Sequence, residues 1–190
     1  MSKLKRTTTE TQIVADVRIG SGAASIDVDD GFLAHMVETL ARYAGLDIEL
    51  QATGDLKHHL VEDVAITLGL ALADEVPASA ARYGWCQIPM DEALAESAID
   101  LGGRPYYVGK LPSKLYTHFL HPFATNLGAT LHVRVLRGND RHHMVEAAIK
   151  ATGMSLRQAL VDGGVVFSTK GSVRLERLSS TARDASSIDA

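Results

Sequence analysis

A sixteen-residue segment occurs twice in this chain, which restricts it to architectures built from two like units. Gly54-Asp-Leu-Lys-His-His-Leu-Val-Glu-Asp-Val-Ala-Ile-Thr-Leu-Gly69 lies over Gly138-Asn-Asp-Arg-His-His-Met-Val-Glu-Ala-Ala-Ile-Lys-Ala-Thr-Gly153 without a gap, at an offset of 84 residues. The leading glycine, both histidines, the valine, the glutamate and the closing glycine are identical. The likeness extends upstream. His35 stands ten residues before Gly45 and His118 ten before Gly128, and each glycine leads into a strand-like stretch, 46–52 and 129–136.

The coarse periodicities predict the same element order in both halves. Alternation over 11–18 and 23–28, split by Gly20-Ser-Gly22, reads as strand, turn and strand. Helical apolar spacing runs over 31–43 and ends at Gly45, a glycine placed to cap a helix C-terminus. A strand over 46–52 and a helix over 58–73 complete β-β-α-β-α. The second half repeats this order: strands over 83–88 and 93–101, a helix over 114–126, a strand over 129–136 and a helix over 142–161. The expected fold is α+β, two β-β-α-β-α halves with helices packed on antiparallel sheets. Pro77 and its small neighbours mark the join, so the halves are expected to span 1–81 and 82–171. From Ser172 the sequence turns polar, and 172–190 reads as a disordered tail.

Bulk properties exclude several function classes. A net charge of −4 gives no electrostatic footprint for nucleic acid. The lone Cys86 allows no internal disulfide, and the start of the chain lacks the apolar core of a secretory signal. No apolar run is long enough to span a bilayer. A cytoplasmic protein is expected. Its unusual feature is its 8 histidines, six of which fall into the repeat pattern.

Near a helix N-terminus, His58 and Glu62 are i,i+4 and His59 and Glu62 are i,i+3, so the carboxylate shares a face with both rings. His142, His143 and Glu146 have the same spacing, and His35 and His118 would bring each half to three histidines and one glutamate. Imidazole nitrogen with carboxylate oxygen suits Mn, Fe, Zn or Ni, whereas an all-oxygen cage would suit Mg or Ca. No thiolate accompanies either set, which argues against a structural zinc finger. One His-His pair alone is an ordinary surface or capping feature; a second copy with the same glutamate and the same upstream histidine points to metal binding. His121 and His132 fall outside the pattern and read as local hydrogen-bonding residues.

Other charged residues are weaker signals. Arg82, Arg104, Lys150 and Lys170 (in Ser168-Thr-Lys-Gly) each lie near a turn or helix face, where an isolated cation is ordinarily a solvated one. Lys150 is best placed, being i+4 from Glu146. The adjacent carboxylates of Pro89-Met-Asp-Glu-Ala-Leu94 fit a turn. Glu10, after three threonines, is a possible acid-base group.

Taken together, these segments resemble the imidazoleglycerol-phosphate dehydratase family, the lyases of histidine biosynthesis. The resemblance covers nearly all of 6–171, through Arg6-Thr-Thr-Thr-Glu-Thr11, Gly31-Phe-Leu-Ala-His-Met36, His58-His-Leu-Val-Glu-Asp63, Arg82-Tyr-Gly84, Pro89 to Leu94, Asp100-Leu-Gly-Gly-Arg-Pro105, Leu131-His132, His142-His-Met-Val-Glu146 and Ser168-Thr-Lys-Gly171. It implies ferredoxin-like halves and self-association into a large cage, a 24-mer, with sites at subunit interfaces. It also implies two Mn ions per site, on His35, His58, His59, Glu62, His118, His142, His143 and Glu146. Arg82, Arg104, Lys150, Ser168 and Lys170 would hold the substrate phosphate, and Glu10 would contact substrate and move protons. The implied reaction dehydrates imidazole-glycerol phosphate by way of a metal-stabilised imidazolate. A metallohydrolase of a phosphorylated substrate and a non-catalytic metal-binding cage are the alternatives. The chain departs from the family at Ala34, Lys57, Leu60 and Tyr43, where the family commonly has Asp, Asp, Thr and His.

Overall fold

Alternating and helical periodicities resolve, in the computed structural model, into twelve elements across the described residues 2–166. Ser168, Lys170 and the tail expected over 172–190 lie outside the described residues. The first half runs β1 (Ser2–Thr7), β2 (Thr11–Ile19), β3 (Ala24–Val28), α1 (Gly31–Ala44), β4 (Leu46–Gly54) and α2 (Lys57–Ala73). The second runs β5 (Tyr83–Met90), β6 (Ala93–Asp100), β7 (Tyr106–Gly109), α3 (Lys114–Leu127), β8 (Thr130–Arg137) and α4 (Arg141–Ala159). The duplicated α+β order is present, and each half carries one further strand, β1 in the first and β7 in the second.

Each half forms a four-stranded sheet, ordered β1-β2-β4-β3 and β5-β6-β8-β7. The sheets are mixed rather than wholly antiparallel: β3 runs parallel to β4 and β7 to β8. Parallel neighbours need a crossover, which α1 and α3 provide. α1 and α2 lie on the first sheet and α3 and α4 on the second, while α1 packs on α4 and α2 on α3. The layers are therefore sheet, helix pair, helix pair, sheet, and one apolar core containing Leu40, Leu68, Phe123 and Leu156 runs through both halves.

The closing glycine of the repeat explains how closely these helices approach. A Cβ on Gly69 would lie 2.6 Å from the Phe123 carbonyl oxygen, and one on Gly153 would lie 2.7 Å from the Tyr43 Cβ. Real Cβ atoms do not tolerate such distances, so each crossing requires glycine. Gly45 caps α1 with φ 70 and its N–H on the Ala41 carbonyl, as the sequence predicts. No helix among the described residues is long and apolar enough to cross a membrane.

Asp47 on β4 fastens the β2–β3 turn. Its Oδ1 accepts from the N–H groups of Ser21, Gly22 and Ala23 and from the Ser21 hydroxyl. The N–H groups of Ala23 and Ser21 hold the Asp47 carboxyl at about 2, below its ordinary 3.8. A depressed carboxylate stabilises the fold above its unfolded pKa, and that contribution is lost as pH falls through the folded value. Asp47→Asn is therefore expected to lower stability at pH 7 and to flatten the loss between about pH 4 and pH 2, as urea denaturation across that range would show.

Candidate metal centre

The helices of each packed pair run in the same direction, so the four N-termini gather at one end of the helical layers. Asp30 caps α1 by accepting from the Leu33 N–H at 2.7 Å, and Asp140 caps α4 by accepting from the His142 and His143 N–H groups. Asp30 also pairs with Lys57 at 2.5 Å, which ties the start of α1 to the start of α2. Phe32 on α1 stands edge-on to Tyr116 on α3, with ring centroids 4.8 Å apart, and tilts against His142 at 5.1 Å.

This end of the layers assembles two groups able to hold a metal ion. His35, His142 and Glu146 form one; His58, Glu62 and His118 form the other, with the donor atoms of each group within 4.8 Å of one another. In the first, Glu146 Oε2 is 3.1 Å from His142 Nε2 and 3.4 Å from His35 Nε2, and the two rings stack at 5.7 Å. In the second, Glu62 Oε2 is 3.5 Å from His58 Nε2, and the His58 and His118 rings meet at 5.1 Å. The donors of the two groups stand at corresponding positions of the duplication.

Their membership differs from the expectation that each half assembles its own set. His35 on α1 joins His142 and Glu146 on α4, and His118 on α3 joins His58 and Glu62 on α2. The reason is packing: α1 meets α4 and α2 meets α3, so each group draws donors from both halves. The glutamates differ in exposure. The Glu146 side chain is 8 % exposed and that of Glu62 43 %. Burial pushes the Glu146 carboxyl up, but Lys150 at 2.8 Å and His35 outweigh it and hold it below the carboxylate range.

His59 and His143 belong to neither group. His59 Nδ1 lies 2.8 Å from Asp55 and 3.5 Å from Glu10, while His143 Nδ1 lies 2.8 Å from Glu92. The carboxylate partner is the leading cause that raises the pKa of each ring. Glu92 sits in the β5–β6 turn. The N–H of Asp140, the His143 ring and the N–H of Asn139 hold it at about 2.

The cations fall into two places. Lys150 is half-buried beside the first group, on Glu146 and over the Tyr43 ring at 5.5 Å. Arg82 donates to Asp100 through Nε at 2.6 Å and Nη2 at 3.0 Å, and its backbone N–H bonds the Ala159 carbonyl. That places it at the far end of α4, roughly 20 Å along the helix axis from Glu146. Arg104 is exposed before β7. Ser168 and Lys170 lie outside the described residues. His121 packs near Tyr107, and His132 is on the outer face of the second sheet with Trp85. Sequence reasoning missed the Asp30–Lys57 pair and the roles of Asp55 and Glu92. Of these, only Asp55 had a local signal, its i,i+4 spacing to His59.

A family model described as imidazoleglycerol-phosphate dehydratase matches residues 29–156. Proteins named imidazoleglycerol-phosphate dehydratase from Clostridium botulinum and Methanosarcina mazei are 42% and 40% identical to this chain; each alignment covers 91% of it, with 98% and 99% of the relative. The fold is similar to a crystal structure of IGPD from Pyrococcus furiosus, with TM-score 0.81 and 38% identity over 90% of this chain and 100% of that one. It is also similar to that of imidazoleglycerol-phosphate dehydratase from Staphylococcus aureus, with TM-score 0.75 and 28% identity over 85% and 99%.

The division of donors predicts a pattern of coupling. His35→Ala and His142→Ala should weaken the same metal site and be strongly non-additive, whereas His35→Ala and His118→Ala should each remove about half the bound metal and combine additively. Metal analysis of the single and double variants after dialysis distinguishes the two.

Proposed function

The chain belongs to the imidazoleglycerol-phosphate dehydratase family, and from that premise we propose that it converts D-erythro-imidazole-glycerol phosphate to imidazole-acetol phosphate with two divalent metal ions, Mn in the first instance. Family membership makes it a lyase of histidine biosynthesis. The observation that carries the metal reading is the pair of corresponding His/His/Glu groups. Two neutral imidazoles and a carboxylate form a donor set that fits a first-row transition ion and leaves coordination positions for further ligands.

His35, His142 and Glu146 would hold one ion and His58, Glu62 and His118 the other, with His59 and His143 completing the ligand set from a neighbouring copy. That His59 and His143 stand outside both groups, each with its Nδ1 on a separate carboxylate, supports that division. Glu10 lies beside His59, so a site completed by His59 would also receive Glu10. Arg82 stands far from the donors of its own chain and would likewise serve another copy. Self-association into a large cage, a 24-mer, would bring these pieces together.

When bound, the divalent ions would supply Lewis acidity at the substrate imidazole, favouring its deprotonated form. The chain's residues would do the rest. The reaction breaks one C–O and one C–H bond and releases water, and the resulting enol becomes the ketone. Glu10 would take the carbon-bound proton and return a proton where the hydroxyl leaves. Arg82, Arg104, Lys150, Ser168 and Lys170 would hold the phosphate, fixing the reacting carbon near the donor groups. Lys150 already has a fixed position, because Glu146 and Tyr43 restrain it.

Protein of measured metal content, incubated with imidazole-glycerol phosphate, is expected to form the ketone, to stop after treatment with a chelator and to resume on addition of Mn. Release of inorganic phosphate instead would indicate a metallohydrolase, and tight metal binding without turnover a metal-binding cage; either result overturns the proposal. Glu10→Gln should retain its metal and lose about 10²–10⁴-fold in kcat. Turnover near wild type would remove Glu10 from the proton transfers.

A further inference from the structure

We infer that Asp55 and Glu92 are positioning residues that hold His59 and His143 through Nδ1 and present Nε2 of each ring as the metal-binding nitrogen; this rests on the ligand roles proposed above. A neutral imidazole has one N–H and one lone pair, and a carboxylate can only accept from it. A carboxylate on Nδ1 therefore keeps the proton there and leaves the lone pair on Nε2. Metal-ligating histidines are commonly oriented in this way by a carboxylate on the opposite nitrogen.

The repeat makes the argument independent of a single contact. His59 and His143 are equivalent in the duplication, and each has a carboxylate oxygen 2.8 Å from Nδ1. The carboxylates are not equivalent. Asp55 stands four residues before its histidine, in the loop entering α2. The corresponding residue of the second half is Asn139, whose side chain is uncharged. There the carboxylate comes instead from Glu92 in the β5–β6 turn, 51 residues away in sequence. Duplication alone would have carried over the position of the acid; here the position changes and the bond remains.

The two carboxylates differ in how they are anchored. Glu92 Oε1 accepts from the N–H groups of Asn139 and Asp140, which leaves Oε2 for His143. Asp55 Oδ1 accepts from its own neighbour Leu56 N–H and also faces His59. Asp91, the other acid of the turn, lies 3.6 Å from His143 Nε2, on the ligand side of the ring.

Glu92→Gln separates positioning from structure. With its carbonyl on the two backbone N–H groups, the glutamine retains the turn and places an NH2 donor against Nδ1, favouring the wrong tautomer. Mn titration of the assembled, metal-stripped protein is expected to show affinity lower by about 10–100-fold for Glu92→Gln and for Asp55→Ala, with the thermal midpoint of metal-free Glu92→Gln unchanged. Adding Asn139→Asp to Glu92→Gln should recover affinity, because it places an acid four residues before His143 as Asp55 is before His59. Wild-type affinity in both Glu92→Gln and Asp55→Ala, while His59→Ala and His143→Ala lose metal, overturns the inference and leaves the ligand roles standing. Failure of Asn139→Asp to restore binding also overturns it. Full metal affinity in the two histidine variants overturns the ligand roles, and this inference with them.

Discussion

The close crossing of α1 on α4 and of α2 on α3 is the constraint on which the rest of the structure depends. Gly69 and Gly153 leave no room for even a methyl group at the crossings. A larger residue at either position would push the helices apart and carry the histidine rings with them. Ring separations of 5.1 and 5.7 Å within the two groups therefore depend on a contact about three helical turns away. The repeated glycines thus set the spacing of the helices that carry the paired side chains.

The helix ends impose an electrostatic condition. Four N-termini gather beside the two groups able to hold a metal ion, and an N-terminus carries partial positive charge. Glu62 and Glu146, one in each group, supply the opposing charge. Asp30 and Asp140 cap α1 and α4 and add more. Lys57 does not stand as a loose charge beside His58. It closes on Asp30 and joins the two helices that carry His35 and His58. Leu60, on the same turn of α2, is buried in the core.

Much of this was legible in the sequence because the repeat exposes it. The helices and the six donors of the two groups follow from periodicity and spacing. β1 was not visible because Ser-Lys-Leu-Lys-Arg-Thr is a mostly polar edge strand with one side turned to solvent. β7 has four residues, too few for alternation to show, and follows a Gly-Gly-Arg-Pro turn. The partition of donors between halves was not legible either. Spacing shows which residues share a helix face, but not which helix that face meets. Glu92 looked like a turn residue and is one; its contact with His143 crosses 51 residues of sequence, beyond any local pattern.

The exchange of donors between halves has a consequence for how such a fold can arise. One half holds a lone histidine on its first helix and a His/Glu pair on its second, so it contains every donor type of a group. Its two helices do not bring those donors to one another; each closes a group only with a helix of the other half. Two identical copies of a single half, meeting about a two-fold axis, would build both groups at once, since an isologous contact places each patch against its mate. The present chain pairs its helices as the subunits of such a homodimer would, with the segment 74–82 joining one half to the next.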